Sequence, residues 1–224
     1  MIAIIDYDAG NIRSVEKALL ALGQDVTVTA DRDEILHADK VILPGVGAFG
    51  DAMEKLKQSG LDEVIREVTE KGTPFLGICL GLQLLFEHSD EAPGVEGLGI
   101  LKGEILRIPD KEGYKIPHMG WNSLHLENDG RLFKGIAENS YVYFVHSYYL
   151  KAEEEQIVKA STEYATHIHA SVEKENIFAC QFHPEKSSDA GARLLANFAT
   201  IARAARAGSA HADKVAENPV ASKE

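Results

Sequence analysis

The chain of 224 residues contains little cysteine and has no excess of positive charge. Its two cysteines exclude a framework of disulfide bonds, and we expect both thiols to be free in a reducing compartment such as the cytoplasm. Lys and Arg number 23 against 35 Asp and Glu, which gives a formal net charge of -12. Neither nucleic acid nor an anionic membrane is therefore an expected partner.

Long hydrophobic runs and metal-binding clusters are also missing. No apolar run approaches the ~20 residues that a membrane-spanning helix needs. The apolar start of the chain is ended by Asp6 and Asp8 and has no basic segment before it, so it predicts a strand and not a signal peptide. His167 and His169 have zinc-like spacing but no further ligands nearby in the sequence, and we expect no metal and no cofactor.

The first half of the chain alternates short apolar runs with amphipathic segments. The runs predict buried strands at residues 2–5, 26–28, 40–43 and 75–78, and the segments predict helices at 12–22, 52–56 and 61–68. This alternation predicts an α/β fold whose mostly parallel central sheet has helices on both faces. Ligands of such sheets bind at the carboxyl ends of the strands.

The second half of the chain has a different sequence pattern. Strand-like segments joined by short polar turns predict an added mixed or antiparallel section, at residues 99–108, 121–126, 141–150, 156–160, 167–172 and 177–182. A final amphipathic helix is predicted over 191–207, followed by small and polar residues. We therefore expect one domain over 1–207 and a flexible C-terminal tail over 208–224.

The stretch GICLG places Cys79 between a predicted strand and a predicted helix. Gly77 and Gly81 allow a sharp turn there, and the N-terminus of a helix favours the thiolate form of a cysteine. The Gly-x-Ser-x-Gly elbow of the α/β-hydrolases has the same design. The pattern is short, and a small buried cysteine in a glycine-containing turn explains it equally well.

A cysteine nucleophile needs a base and a group that orients the base. In QFHPE, alternation along an extended segment puts His183 and Glu185 on one side, so the histidine can hold the thiol proton while the carboxylate fixes its tautomer. Taken alone, a strand-end histidine beside a surface carboxylate is the commoner case. Cys180, inside the preceding apolar run, is predicted to be a buried filler.

The glycine-rich stretch LPGVGAF ends one predicted strand and opens a helix. Its glycines allow a peptide unit to rotate and to present an N–H group to an oxyanion. A plain strand-to-helix turn is one alternative, and a phosphate-binding loop is another. No Gly-Lys-Ser/Thr follows and no Gly-x-Gly-x-x-Gly is complete, which weighs against the phosphate loop.

Together these stretches resemble the class I (triad) glutamine amidotransferases, over almost the entire chain to about Ala207. Within that family the chain is most similar to the glutaminase subunits of imidazole glycerol-phosphate synthase. The segments that carry the resemblance are IIDYDAGNIRSVEKAL, LPGVGAFGDAM, GICLGLQLLFE, IPHMGWN, YFVHSYY and QFHPEKS. The resemblance implies a flavodoxin-like fold of the amidotransferase type. One departure is Asp8, which stands where the family usually has glycine.

The resemblance also implies roles for individual residues. Cys79 would be the nucleophile, His183 the general acid and base, and Glu185 the group that orients the histidine. A second set would bind the substrate glutamine and its oxyanion. It comprises the N–H groups of Val46 or Gly47 and of Leu80, the side chain of Gln83, and the segment of Ser147 and Tyr148.

A partner is implied as well. The resemblance predicts a cyclase subunit, a (β/α)8 barrel, that forms a heterodimer with this chain and receives ammonia from it. The segment Lys115–Asn122 is the candidate docking loop, with Lys186 as a weaker candidate contact; the alternative for the segment is a turn whose Trp121 packs in the core. Two other functions stay open from the residues: a cysteine peptidase or γ-glutamyl hydrolase, and a non-catalytic binding module with an inert Cys79.

Overall fold

A computed structural model of the chain describes residues 1–8 and 10–203. Its helices are α1 (Ile12–Ala21), α2 (Arg32–His37), α3 (Phe49–Ser59), α4 (Leu61–Glu70), α5 (Leu80–Leu84) and α6 (Ser188–Thr200). Its strands are β1 (Ile2–Ile5), β2 (Val26–Thr29), β3 (Lys40–Leu43), β4 (Phe75–Ile78), β5 (His88–Ser89), β6 (Gly103–Arg107), β7 (His118–Ser123), β8 (His125–Leu126), β9 (Tyr141–His146), β10 (Tyr148–Ala152), β11 (Val158–Tyr164), β12 (Thr166–Lys174) and β13 (Ile177–Cys180). None of the helices described is long and apolar enough to cross a membrane.

The main sheet has eight strands in the order β2-β1-β3-β4-β13-β12-β11-β8. The first five are parallel to one another, and the last three pair antiparallel. Five parallel strands in this order form the flavodoxin-like arrangement, in which the winding reverses between β1 and β3. The predicted α/β fold with an added antiparallel section is confirmed.

Two hydrophobic cores lie on opposite faces of the sheet. Successive side chains of a strand point to opposite faces, so Ala3 and Ile5 join the core under α2, α3 and α4, while Ile2 and Ile4 join the core under α1 and α6. All four side chains are buried. Burial on both faces explains why the central strands have nearly continuous apolar sequences.

The second half also builds two small sheets. β10, β6 and β5 form one, and the antiparallel pair of β7 and β9 forms the other. The predicted strand 141–150 is broken at Ser147, and the predicted strand 121–126 is divided between β7 and β8. The candidate docking segment 115–122 stays a prediction, but its second half is a strand and not a loop, because His118–Ser123 pairs with β9 along its whole length.

The ends of the chain differ in part from the prediction. α6 begins at Ser188 and ends at Thr200, so the predicted helix 191–207 is wrong at residues 201–203, which are not helical. The predicted tail 208–224 lies outside the described residues, and the division into a domain and a tail stays a prediction. The short polar helix α2 was not predicted, because its six residues contain only Ile35 as a fully buried side chain.

Candidate active site

Cys79 occupies a strained turn at the carboxyl end of β4, directly before α5. Its φ of 55° and ψ of -108° are unusual for a residue with a side chain. The flanking glycines make the turn possible. A Cβ atom on Gly81 would lie 1.9 Å from the Leu43 carbonyl oxygen, and one on Gly77 would lie 2.6 Å from the Gly81 oxygen. The glycines thus remove atoms that would block the approach of β3 to the turn.

The neighbouring strand β13 holds this turn in place. The Cys79 N–H donates to the Cys180 carbonyl at 2.8 Å, which continues the pairing of β4 with β13. The Nε2 atom of Gln181, two residues before His183, lies 3.7 Å from the Cys79 sulfur and donates to it. Cys79 is 6% exposed, so its sulfur is at the edge of the interior and not in open water.

His183 and Glu185 form a buried pair after β13. The His183 Nδ1 atom lies 2.8 Å from Oε1 of Glu185, and the two side chains are almost inaccessible to solvent. A carboxylate can only accept a hydrogen bond, so Nδ1 carries the proton and Nε2 of the neutral ring keeps its lone pair. Nε2 is buried and has no hydrogen bond of good geometry within the described part of the chain.

The surroundings of His183 favour its charged form. Burial lowers its pKa, but hydrogen bonding to Cys79 and to Glu185 and their negative charges outweigh burial and raise the pKa to about 9. An imidazolium is therefore favoured at this position, between Cys79 and the carboxylate of Glu185. The buried carboxylate of Glu185 is the group that compensates this positive charge.

Asn11 is a further contact of this pair that the sequence interpretation missed. It precedes α1 with a left-handed φ of 72°, and its Nδ2 atom donates to Oε1 of Glu185 at 2.5 Å. The same oxygen thus receives hydrogen bonds from both Asn11 and His183. The local sequence indicates only a plausible helix cap at Asn11, because nothing in it brings residue 11 next to residue 185.

The loop after β3 closes over the turn of Cys79. The Leu80 N–H donates to the Gly45 carbonyl at 3.3 Å, so this predicted oxyanion donor is engaged by the loop. The buried Tyr7 hydroxyl donates to the Pro44 carbonyl at 3.0 Å and holds the start of the loop. Gly47 has a φ of 106°, a conformation that glycine adopts without strain.

A cavity of about 160 Å³ opens beside the sulfur. The cavity is lined by all seven residues predicted for the nucleophile, the oxyanion and the substrate: Val46, Gly47, Cys79, Leu80, Gln83, Ser147 and Tyr148. His183 and Glu185 do not line it; they follow β13, the strand that pairs with β4. Glu91 and His146 line the cavity as well, although neither was predicted.

Gln83 and Glu91 both line this cavity and are held by hydrogen bonds to other parts of the chain. Gln83, on α5, is buried, and its Nε2 atom donates to the Tyr148 carbonyl at 3.1 Å and to Oε1 of Gln181 at 3.0 Å. Glu91 accepts a hydrogen bond from the Phe49 N–H at 2.8 Å through Oε2. An acidic residue in a polar loop gives no signal in a single sequence, which is why Glu91 was missed.

His167, His169 and Cys180 lie outside this cavity. Nδ1 of His167 lies 2.6 Å from a Glu163 oxygen, and Nδ1 of His169 accepts from the Ala152 N–H at 3.1 Å. Cys180 is completely buried, and burial raises the pKa of its thiol well above the ordinary value. These contacts favour structural roles for all three residues.

Comparison with known proteins gives a consistent result. Residues 3–202 match the family described as glutamine amidotransferase class-I. The imidazole glycerol phosphate synthase subunit HisH of Caldanaerobacter subterraneus subsp. tengcongensis is 53% identical over 198 residues, which cover 88% of this chain and 97% of the relative. The subunit of the same name from Moorella thermoacetica is 54% identical over 202 residues, 90% of this chain and 95% of that one.

Solved structures with lower identity share the fold. A crystal structure of a glutamine amidotransferase has a TM-score of 0.69 at 18% identity and covers 89% of this chain and 100% of that one. PurLQS from Thermotoga maritima has a TM-score of 0.69 at 21% identity, with coverage of 88% and 96%. The matched family spans nearly all of the described residues, including every part of the cavity and of the buried pair. The chain therefore belongs to the class-I glutamine amidotransferases.

Proposed function

We propose that this protein is the glutaminase subunit of imidazole glycerol phosphate synthase. It hydrolyses glutamine to glutamate and ammonia, and the ammonia passes to a cyclase subunit. That subunit uses it to make imidazole glycerol phosphate and aminoimidazole carboxamide ribotide in histidine biosynthesis. The identity of more than 50% to two subunits of that name, over nearly their whole length, supports this proposal.

Cys79 is the nucleophile in this proposal. Its thiolate attacks the side-chain amide carbon of glutamine and forms a carbon–sulfur bond, and the carbonyl oxygen becomes an oxyanion. Nε2 of protonated His183 gives its proton to the amide nitrogen, the carbon–nitrogen bond breaks, and ammonia leaves. Glu185 keeps the imidazole in the required orientation through the bond at 2.8 Å.

The same histidine completes the reaction. Its Nε2 atom, now neutral, takes a proton from a water molecule, which attacks the thioester carbon. The carbon–sulfur bond breaks, glutamate leaves, and the thiolate–imidazolium pair is restored. The raised pKa of His183, to about 9, suits this exchange because the proton is held after each turnover.

The loop after β3 controls the oxyanion in this proposal. Two N–H groups receive it: that of Leu80 and that of Val46 or Gly47. Because Leu80 already donates to Gly45 at 3.3 Å, the loop must shift before both donors are free. One oxyanion donor is worth about 3 kcal/mol, so a loop left in place keeps the glutaminase nearly idle until the partner is ready.

The remaining residues of the cavity hold the amino-acid end of glutamine. Ser147 and Tyr148 offer the backbone of a bend between β9 and β10, which suits a carboxylate. Gln83 fixes that bend through the Tyr148 carbonyl. The carboxylate of Glu91, which also lines the cavity, is the matching partner for the α-ammonium group.

The cyclase subunit, a (β/α)8 barrel, docks on the sheet of β7 and β9 to form a heterodimer. Three large side chains are exposed there: Met119 is 62% exposed, Trp121 52% and Tyr141 60%. Exposed apolar surface of this kind suits a protein partner. The surface is close to the active site, because the His183 N–H donates to the Tyr143 carbonyl of β9 at 2.9 Å. Such docking keeps the released ammonia out of open water.

Lys186 extends this surface, and its Nζ atom lies 5.9 Å from the centre of the Tyr143 ring. The Tyr143 ring in turn lies 6.1 Å from that of Trp121. The exposed Trp121 supports docking over the alternative of a core-packed side chain. We infer that the complex acts in the cytoplasm, where the free thiol of Cys79 stays reduced.

One observation carries the proposal: Cys79 lines a cavity, and the buried pair of His183 and Glu185 lies close enough to Cys79 for the thiol to raise the pKa of the imidazole. The experiment compares Cys79→Ala with Cys180→Ala, its matched control, in complex with the cyclase subunit. Cys79→Ala should abolish synthesis driven by glutamine and leave synthesis driven by ammonia intact. Cys180→Ala should keep both activities, because its buried side chain lies in β13 and not in the cavity.

Two outcomes would contradict the proposal. Full glutamine-driven turnover by Cys79→Ala would show that Cys79 is not the nucleophile. Strong activity of the unaltered isolated chain on γ-glutamyl peptides, without stimulation by the cyclase, would indicate a γ-glutamyl hydrolase instead.

A further inference from the structure

Two buried histidines connect the exposed strand β7 with the bend that lines the cavity. His118, on β7, and His146, at the end of β9, are direct neighbours in the antiparallel register. They are 3% and 6% exposed, and Nδ1 of His118 lies 3.0 Å from Nε2 of His146. Neither residue takes part in the proposed chemistry, so this buried polar pair has no role so far.

The direction of each hydrogen bond follows from its fixed ends. The Tyr148 carbonyl can only accept, so His146 donates to it through Nδ1–H at 2.9 Å. Nε2 of neutral His146 then keeps a lone pair and accepts from Nδ1–H of His118. At the other end, Nδ2 of Asn122 donates to Nε2 of His118 at 3.4 Å, because Oδ1 of Asn122 is occupied by the Ser123 N–H at 2.9 Å.

The surroundings keep both rings neutral, as this direction requires. Burial lowers the pKa of His118 to about 4. Burial also lowers the pKa of His146 to about 3. The hydrogen bond to Tyr148 opposes this shift, and the nearness of the His118 and His183 imidazoles adds to it. The His118 ring is stacked between Tyr164, at 3.9 Å between centres, and Phe144, at 4.7 Å. Neutral rings with single tautomers make the bonds directional.

The same carbonyl is held from its other side. Nε2 of Gln83 donates to the Tyr148 oxygen and to Gln181, and Nε2 of Gln181 reaches the Cys79 sulfur at 3.7 Å. The Tyr148 peptide is thus fixed between the histidines and the nucleophile. Since this bend lines the cavity, its orientation sets how the backbone meets a bound amino acid.

We propose that His118 and His146 are positioning residues for glutamine. They form a directional relay of hydrogen bonds by which β7, and the partner docked on it, sets the orientation of the Tyr148 carbonyl and the affinity of the cavity for glutamine. The identities of the substrate and of the partner rest on the proposed function. The relay itself rests only on the hydrogen bonds and their direction.

The kinetic experiment distinguishes the loss of the hydrogen-bond donor of His118 from the loss of its ring. His118→Phe keeps a stacked ring and removes both nitrogens, whereas His118→Asn places an amide nitrogen at the position of Nδ1 and removes the ring. With saturating cyclase and its nucleotide ligand, His118→Phe should raise the KM for glutamine about tenfold and change kcat less than about twofold, because one buried hydrogen bond is lost. His118→Asn should return the KM to within about threefold of the unaltered chain.

Two kinetic results would overturn the relay: an unchanged KM in His118→Phe, or an equal rise in both variants, which would mean that only ring packing matters. A spectroscopic arm does not depend on activity. In a histidine-labelled full chain at pH 7, nitrogen NMR should show both rings neutral with the proton on Nδ1, the two signals being assigned by His118→Phe and His146→Phe. A proton on Nε2 of either ring would overturn the relay.

The two arms also separate this inference from the proposed function. If the unaltered chain shows no glutaminase activity stimulated by the cyclase, the proposed function fails, and the NMR result alone decides whether the relay exists. If stimulation is present and the tautomers differ from those expected, the function stands and the relay fails.

Discussion

The parallel part of the main sheet and the antiparallel part of the molecule, which includes the two small sheets, contribute different things to the cavity. The carboxyl ends of β3, β4 and β13 provide the glycine loop, Cys79 and the buried pair of His183 and Glu185. The antiparallel section provides the bend of Ser147 and Tyr148 and the exposed surface of β7 and β9. In the proposed function the reacting groups thus follow strands that are buried on both faces, and the recognition elements lie where a partner can reach them. Substitutions in the two parts should differ in the same way.

The largest effect on stability is expected at the turn of Cys79, in the parallel part. Gly81→Ala places a Cβ atom 1.9 Å from the Leu43 carbonyl oxygen, and backbone atoms at that distance cannot move aside cheaply. We expect the free energy of unfolding to fall by about 4 kcal/mol or more, at the upper end of single substitutions. Urea denaturation of the full chain measures it.

Gly50→Ala is the matched control for this prediction. Gly50 lies in α3, and its nearest new contact, the Cβ atom of Ala92, is 3.3 Å away. Its free energy of unfolding should stay within about 1 kcal/mol of the unaltered value, since alanine also favours the helix. Equal stabilities of the two variants would contradict the tight approach of β3 to the turn of Cys79.

The second effect is a dependence of stability on pH that comes from His183. Its pKa is about 9 in the folded chain against the ordinary value of 6.5, which corresponds to on the order of 3 kcal/mol. Because the folded pKa is raised, this stabilisation is complete below pH 6.5 and is lost as the pH rises through 9. The free energy of unfolding of the unaltered chain should therefore fall relative to that of His183→Gln across this range.

Cys79→Ala sharpens the same measurement. Hydrogen bonding to Cys79 is the largest of the favourable causes of the raised pKa, ahead of the bond to Glu185. The variant should thus keep only part of the pH dependence. If the unaltered chain and His183→Gln have parallel pH profiles, the buried pair does not hold an imidazolium.

The difference between the two parts also explains how far the sequence could be interpreted. The central strands β1, β3 and β4 have the predicted bounds, because buried parallel strands are continuous apolar runs in the sequence. The positions of Cys79 and of the glycine-rich loop at the ends of such runs were visible in the sequence, whereas the roles of the site residues came from the family resemblance. Asn11, Glu91 and His146 were not, since each acts through contacts with residues far away in the chain. The bend at Ser147 is set by pairing with β6 and β7, which the local pattern does not contain.

The third effect concerns the exposed surface of the antiparallel part. Trp121→Ala should weaken binding to the cyclase subunit by about 2 kcal/mol, roughly thirtyfold in Kd, because exposed tryptophans are frequent anchors of interfaces. Isothermal titration calorimetry measures the Kd. Leu20→Ala is the matched control, since Leu20 is 52% exposed like Trp121 but lies on α1. Equal losses in both variants, or none in Trp121→Ala, would mean that β7 is not the docking surface.

The smallest effect returns to the parallel part, at Asn11. Asn11→Gly removes the amide that donates to Glu185 at 2.5 Å, while glycine accepts the left-handed φ of 72° without strain. A hydrogen bond to a charged group contributes about 1.5 kcal/mol, so kcat should fall about tenfold. The KM for glutamine should not change, because Asn11 does not line the cavity. Steady-state glutaminase kinetics with the cyclase bound separate the two constants.

Asn139→Gly makes the test of Asn11 specific. Asn139 has a similar left-handed φ of 62° in an exposed turn, and it has no contact with the buried pair. Both variants exchange an asparagine for a glycine in the same backbone conformation, so any general cost of chain flexibility appears in both. A fall in kcat confined to Asn11→Gly assigns the effect to the orientation of Glu185 and His183. A rise in KM instead would place Asn11 with the recognition elements, and the separation of chemistry from recognition between the two parts of the molecule would not hold.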